Sequence, residues 1–251
     1  MRFNENIALS GSQVLLVPYD PHHVPRYHEW MEDAAIREAT ASDRLTLAEE
    51  YENQSSWREA PDKLTFIVCE PLPRDEEPAD PPRDSQAVVA GEADSPDRMI
   101  GDINLFLTPW DGDDEERDRG EKGKTCVNAE VDIMIADLKH RGRGLGRATL
   151  AMFLLFIRGN LDAILAEYAG AGEASGAGPN IPELKDVVAK INANNQSSIK
   201  LFKSMGFSQR GGVNYFGEIE MVLEGLGKKG MVDELAAATS KCFYDRSRLK
   251  K

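Results

Sequence analysis

Two acidic residues in an otherwise apolar segment have the type and spacing required for acid–base chemistry. The segment AEVDIMIA, residues 129–136, has the alternation of a β-strand, so Glu130 and Asp132 are expected to point to the same face. Two carboxylates on one face could hold a substrate ammonium and accept its proton, directly or through water. The structural alternative is that one of them only pairs with a cation at the edge of a sheet.

A basic, glycine-rich loop lies between this strand and a predicted helix. It contains, in order, Arg141, Gly142, Arg143, Gly144, Leu145 and Gly146. A helix N-terminus preceded by glycines offers unpaired N–H groups to an anion, and arginines add positive charge. The spacing fits neither a Walker P-loop nor a Rossmann fingerprint. The loop therefore predicts a phosphate site of another kind. The alternative is that its arginines only make an exposed turn soluble.

A second motif follows about fifty residues later, after another predicted strand. It is NQSSIKLFKSMGF, residues 195–207. The loop pattern R-x-x-G-x-G between strand and helix, followed by this motif, resembles the coenzyme-binding region of the GNAT acetyltransferase superfamily. The resemblance covers about residues 14–223, with two acidic segments left out. It implies an N-acetyltransferase that uses acetyl-CoA as acetyl donor and no metal.

The resemblance also implies where the coenzyme binds. The backbone of Ile133, Met134 and Ile135 would bind the pantetheine arm where two central strands splay apart, and an N–H near Met134 or Ile135 would stabilise the oxyanion. The loop from Arg141 to Gly146 would bind the pyrophosphate. Asn195 and Ser198 would contact the coenzyme, although both could equally cap the helix that begins there.

The same resemblance implies catalytic roles and exposes one departure. Glu130 lies where many relatives carry a carboxylate, which makes it the first candidate for the base, with Asp132 beside it. Many superfamily members carry a tyrosine as general acid where this chain has Phe202, whose ring has no proton to give. Phe202 would then only pack against the coenzyme, and Tyr215, water or unaided departure of the thiolate would replace the acid.

The acceptor is predicted from a narrower resemblance. LVPYDPHHVPRYHEWMED, GDINLFL and AEVDIMIA resemble a branch of the superfamily near the bacterial ribosomal-protein alanine acetyltransferases, which acetylate α-amino groups of protein N-termini. This implies a protein or peptide acceptor, with tubulin suggested by the branch. Two alternatives stay open: a scaffold that binds acetyl-CoA without catalysis, which Phe202 favours, and an acetyltransferase of antibiotics or polyamines.

Strands and helices alternate along the chain in the predicted order β-αα-β-β-β-α-β-α-β. This order predicts an α/β fold, one domain with a mixed central sheet. The resemblance implies that it is a single GNAT-like domain over residues 1–227, with helices on both faces and splayed central strands. Thr46 and Glu49 form a predicted capping box at one helix. His22, His23 and His28 cluster in sequence, but helical neighbours should face different ways, so we predict no metal site.

The charge of the chain is concentrated in segments that resemble insertions. Net charge is −13 over 251 residues, and all but about −2 of it falls in residues 71–97 and 111–121, within the predicted insertions 71–97 and 110–124. These segments and the Gly/Ala-rich linker at 169–180 are expected to be mobile, and 228–251 to form a tail with one amphipathic helical pattern. The negative net charge disfavours nucleic acid as a partner. No apolar stretch of about 20 residues is apparent, and the cysteines are far apart, so we expect a cytoplasmic protein without membrane contact.

Overall fold

One mixed β-sheet organises the molecule. The computed structural model describes residues 1–73, 87–110, 125–170, 180–226 and 239–249. The strands of these residues are β1 Ile7–Ser10, β2 Leu15–Pro18, β3 Lys63–Cys69, β4 Val88–Val89, β5 Met99–Pro109, β6 Cys126–Ile135, β7 Glu183–Asn192, β8 Ser208–Arg210, β9 Glu218–Glu224 and β10 Ser240–Asp245. Their spatial order is β4-β10-β1-β2-β3-β5-β6-β7-β9-β8. The pairs β4–β10 and β6–β7 are parallel and the others antiparallel.

Helices cover both faces of the sheet. They are α1 Val24–Met31, α2 Ala34–Ala39, α3 Leu47–Glu59, α4 Leu145–Gly159, α5 Leu161–Tyr168 and α6 Gln196–Ser204. Neighbouring strand residues face opposite ways, so Phe66 packs with α4, α5 and α6, whereas Ile67 packs with α1 and α2. The predicted fold class is confirmed: a mixed sheet lies between two layers of helices.

Local capping explains where two of these helices begin. The side chain of Thr46 accepts a hydrogen bond from the N–H of Glu49, and the carboxylate of Glu49 accepts one from the N–H of Thr46. This is the predicted capping box. The side chain of Asn195 accepts from the N–H of Ser198, 3.1 Å away, and so caps α6.

The central strands β6 and β7 separate halfway along their length. Their pairing ends at Glu130 and Val188, although β6 continues to Ile135 and β7 to Asn192. Over the same stretch β6 stays paired with β5 and β7 with β9. The predicted splay is therefore present, and we call the opening between the two strands the gap.

Two expectations about segments at one edge of the sheet are wrong. Residues 87–97, expected to belong to a mobile acidic loop, contain β4 and the fully buried Asp94. The residues from 228 onward are not only a tail, because β10 inserts between β4 and β1. Alternate residues of β10, Cys242 and Tyr244, are buried, and this burial holds the strand in the sheet. Residues 74–86, 111–124, 171–179 and 227–238 of the predicted insertions, linker and helical pattern lie outside the described residues.

The expectation that the chain has no apolar stretch of about 20 residues is wrong for the helices α4 and α5. Together they span Leu145–Tyr168, and an 18-residue window within them has a mean hydropathy of 1.6. By length and composition alone this stretch could cross a membrane. In the fold 56% of the window is buried, because α4 packs across one face of the sheet.

Candidate active site

The gap joins two different faces of the sheet. On β6 the side chains of Ile133 and Ile135 face α4, whereas those of Glu130, Asp132 and Met134 face the side of α1 and α2. The loop predicted to bind the coenzyme leads into α4. The gap therefore connects the side of the predicted coenzyme loop with a face that carries two carboxylates.

The backbone of β6 presents alternate residues to the gap. The N–H of Ala136 donates to Ile100 on β5, so the polar backbone groups of Met134 and Asp132 also turn to β5. Those of Ile133 and Ile135 turn to the gap. The predicted role of Met134 in binding the pantetheine arm through its backbone is therefore wrong, and its side chain is buried. For Ile133 and Ile135 that role stays a prediction.

The loop at the start of α4 has the shape of an anion site. Gly142 and Gly144 adopt φ of +71° and +82°, in the left-handed region that glycine adopts most easily, and a Cβ at either would meet nothing within 4 Å. Gly144 is the N-cap of α4, and no side chain caps this first turn. Leu145 and Gly146 begin the helix, and a Cβ on Gly146 would approach Leu201 to 3.3 Å. The space around Gly142 and Gly144 is thus open and no side chain caps the start of α4, which suits a pyrophosphate.

The arginines of the loop divide into two roles. The guanidinium of Arg141 donates to the carbonyl oxygens of Ile135 (2.8 Å) and Ala136 (3.1 Å), so this side chain ties the loop to the end of β6. Arg143 is exposed. Sequence reasoning treated both as anion contacts; the structure makes Arg141 a brace that positions the loop and leaves Arg143 available.

The second motif places its residues at α6. The cap bond described above uses one polar atom of Asn195, the carbonyl oxygen, and Ser198 is half-buried one turn into the helix. The ring of Phe202 is 2% exposed and packs edge-on against Phe207, with ring centroids 5.0 Å apart. Phe202 is therefore a core residue. Its ring is not exposed on the surface, where the predicted packing against the coenzyme would require it. Tyr215 is 97% exposed in the turn before β9.

The two carboxylates of β6 lie in different environments. Glu130 accepts a hydrogen bond from the Lys190 ammonium on β7, with Oε2 and Nζ 2.6 Å apart. Asp132 lies just beyond the last β6–β7 pair. Burial, reinforced by the negative charges of Glu130 and Asp102, raises the pKa of Asp132 to about 7, while Lys190 opposes the rise. A carboxylate with this pKa can both take and release a proton near neutral pH.

Two residues on β5 complete the candidate site: Asn104, which its strand position suggested, and Asp102, which sequence reasoning missed. Asn104 is the register partner of Asp132, and Asp102 lies two residues away on the same face. Asp102 accepts hydrogen bonds from Asn104 Nδ2 (2.9 Å) and from the hydroxyl of Tyr27 on α1 (3.2 Å). Burial raises its pKa to about 6, and these two bonds limit the rise. The alternation of Asp and Asn in GDINLFL was the available signal.

One cluster among the described residues has the spacing of metal ligands. Contrary to expectation, His22 and His23 face the same way, and both Nε2 atoms bond to Oδ2 of Asp94 at 3.1 and 2.9 Å. Nδ1 of His23, however, accepts from the N–H of Asp20, so its Nε2 carries the proton and donates it to Asp94. The hydroxyl of Tyr244 donates to the same oxygen. In this tautomer the cluster is a hydrogen-bond network that attaches β10 to the 3-10 turn preceding α1.

Comparisons with known proteins agree with this geometry. The acetyltransferase (GNAT) domain family matches residues 13–208, and the chain belongs to this family. It is an acetyl-CoA-dependent N-acetyltransferase of GNAT type. The branch that the sequence resembles is N-acetyltransferase 9. An N-acetyltransferase 9-like protein of Caenorhabditis briggsae is 35% identical over 226 residues, covering 90% of this chain and 89% of the relative. An alpha/beta-tubulin-N-acetyltransferase 9 of Drosophila melanogaster is 37% identical over 221 residues, 88% of either chain.

Solved structures show the same fold at much lower identity. A spermidine N-acetyltransferase of Vibrio cholerae with CoA and spermine matches with a TM-score of 0.52 and 13% identity, covering 84% of this chain and 94% of the other. The aminoglycoside acetyltransferase AAC(6')-Ib with ribostamycin and coenzyme A matches with a TM-score of 0.52 and 18% identity, covering 85% and 94%. At these identities the likeness concerns the fold.

Proposed function

We propose that this protein transfers acetyl from acetyl-CoA to the α-amino group of a protein N-terminus. The observation that carries the proposal is Asp132 at the opening of the gap, on the face opposite α4. A base at this place can receive an amine from one side of the sheet while the coenzyme is held on the other. Relatives named for alpha/beta-tubulin support tubulin as the first protein acceptor to test.

The residues at the start of α4 fit acetyl-CoA. The uncapped helix N-terminus at Gly144 and the exposed Arg143 would hold the pyrophosphate, and the gap-facing backbone groups of Ile133 and Ile135 would hold the pantetheine arm. When bound, acetyl-CoA supplies a thioester carbonyl that a neutral amine can attack.

The protein's own contribution is to bind the amine and to move its proton. An aliphatic ammonium is not nucleophilic until it loses a proton, and Asp132 can accept that proton because its pKa is raised to about 7. The ion pair with Lys190 engages Glu130, so we assign the base to Asp132 and a supporting electrostatic role to Glu130. The N–H of Ile135 is a candidate donor to the oxyanion. We further propose a cytoplasmic location, which suits the three free cysteines.

The coenzyme site is tested by calorimetric titration of Gly144→Asp with acetyl-CoA. The substitution places a carboxylate in the open space at the helix N-terminus, and we expect at least a tenfold loss of affinity from repulsion of the pyrophosphate. Gly170→Asp is the matched control, because Gly170 has φ of +71° and open space around it but lies at the end of α5. Equal affinities of the two variants would contradict the assignment.

The acceptor is tested by turnover. Purified protein and acetyl-CoA are incubated with hexapeptides that begin with each of the twenty amino acids, with the same peptides blocked at the α-amine, with tubulin, and with spermine. Acetylation of free α-amines supports the proposal. Acetylation of spermine alone would favour the small-molecule alternative. Acetyl-CoA binding without any turnover would favour the scaffold, to which the absence of a hydroxyl at Phe202 points.

A further inference from the structure

A row of polar side chains crosses the sheet below α1 and α3. Thr65 on β3 is the register partner of Asn104 on β5, and Asn104 is the partner of Asp132 on β6. Paired residues share a face, so the three side chains stand side by side. Thr65 is 8% exposed and Asn104 is 6% exposed. We call these three residues the polar row.

The polar row contains buried atoms without hydrogen-bond partners. Among the described residues, Oγ1 of Thr65 and Oδ1 of Asn104 have no partner, and neither does the hydroxyl of the buried Tyr19. Buried polar atoms are nearly always bonded, so each unpaired one calls for an explanation. The bond from Asn104 Nδ2 to Asp102 fixes the amide and leaves its oxygen as the unpaired atom.

The groups around the row are mostly acceptors, and the free donors beside them are the hydroxyls of Thr65 and Tyr19. Asp132, Asp102 and the amide oxygen of Asn104 all accept, and the hydroxyl of Tyr27 is already used on Asp102. Glu50 on α3 is 2% exposed, and burial raises its pKa, which His28 opposes. A partner that brings several donors and a positive charge would satisfy the amide oxygen and the carboxylates together, which two neutral hydroxyls do not. A primary ammonium has both properties.

We propose that the polar row binds the acceptor's ammonium group. Asn104 Oδ1 accepts a hydrogen bond from one N–H of the ammonium, and the Asp132 carboxylate accepts one from another. Asp102, held by Tyr27 and Asn104, is the buried counter-charge behind them and a positioning residue. This rests on the proposed function, since the amine bound here is the one that Asp132 deprotonates. It also explains why a buried amide oxygen is left unpaired: its partner arrives with the substrate.

The kinetic test compares two asparagines on the same face. Asn104→Leu keeps the side-chain size but removes the acceptor, so the KM of the best hexapeptide should rise about tenfold or more. The affinity for acetyl-CoA, measured by calorimetry, should stay within twofold. Asn128→Leu is the control: Asn128 also has an unpaired Oδ1 but lies about 13 Å along β6 from Asp132, and its KM should not change. Asp102→Asn is the second variant, isosteric, and should raise the same KM if Asn104→Leu fails to fold.

A second measurement does not depend on turnover. Crystals soaked in rubidium chloride at pH 8.5, where both carboxylates are ionised, should show an anomalous peak between Asn104 Oδ1 and Asp132, because Rb⁺ resembles ammonium in charge and size. The peak should be absent from Asn104→Leu. A KM unchanged by both variants, or a wild type without the peak, overturns the inference. A wild type that shows the peak but acetylates no α-amine would overturn the proposed function and leave the cation site standing.

Discussion

Opposite shifts in pH dependence should follow from the two charges beside Asp132. Glu130 raises the pKa of this carboxyl and Lys190 lowers it. Glu130→Gln removes the anion and also frees the Lys190 ammonium, so both effects lower the pKa of Asp132. Lys190→Met removes the cation and leaves Glu130 unneutralised, so both effects raise it.

The spacing along β6 sets the size of the shift. Two residues along a strand are about 7 Å apart, and at an effective dielectric constant of about 20 two unit charges at that distance interact by about 2.4 kcal/mol. That energy corresponds to about 1.7 pH units. The Lys190 side chain is 47% exposed, and water screens its contribution. We therefore expect Glu130→Gln to lower the pKa by about 1 unit and Lys190→Met to raise it by about 0.5 unit.

The assay is the pH profile of kcat/KM for a free-amine peptide at saturating acetyl-CoA. For the wild type, kcat/KM should fall tenfold per pH unit below about 7, because protonated Asp132 cannot act as a base. The midpoint should move to lower pH in Glu130→Gln and to higher pH in Lys190→Met. If Glu130 is the base instead, Glu130→Gln loses about 100-fold or more at every pH, without a displaced midpoint. That result, or an acidic limb that persists in Asp132→Asn, would refute the reasoning.

Two further predictions concern stability. Asp132 has a folded-state pKa raised above its ordinary 3.8, so it favours the fold when protonated and opposes it as pH rises from about 4 through 7. Asp132→Asn should therefore raise the Tm at pH 8 by about 2–4 °C or more while abolishing transfer, and a lower Tm in calorimetry would contradict the burial argument. A Cβ on Gly101 would lie 1.8 Å from the carbonyl oxygen of Met134, so Gly101→Ala should force β5 and β6 apart and lower the Tm by about 5 °C or more. Gly159→Ala, with nothing within 4 Å of the added Cβ, should leave the Tm unchanged or slightly higher, and equal losses in the two variants would refute the clash.

Much of the coenzyme side was predictable because its requirements are local in the chain. Glycines that adopt positive φ, an asparagine that caps the next helix and a strand that alternates all express backbone preferences of neighbouring residues. Motifs built from these residues sufficed for the resemblance to the family and for the position of the loop, and the resemblance in turn implied the splayed sheet. The edges of the sheet were less accessible: β10 is held by Tyr244 and Asp94, which are 150 positions apart.

The acceptor side depended on tertiary structure. By spacing alone Glu130 and Asp132 look equivalent along β6, and the family resemblance favoured Glu130 as the base. The pairing of β6 with β5 and β7 distinguishes their environments. Lys190 engages Glu130, whereas burial and the charge of Asp102 raise the pKa of Asp132. A pKa depends on the water and charges within a few ångströms, and the chain brings these together from distant positions. The residue types thus indicated a candidate base on this strand. The packing raises the pKa of Asp132 towards neutrality, the range that suits a general base.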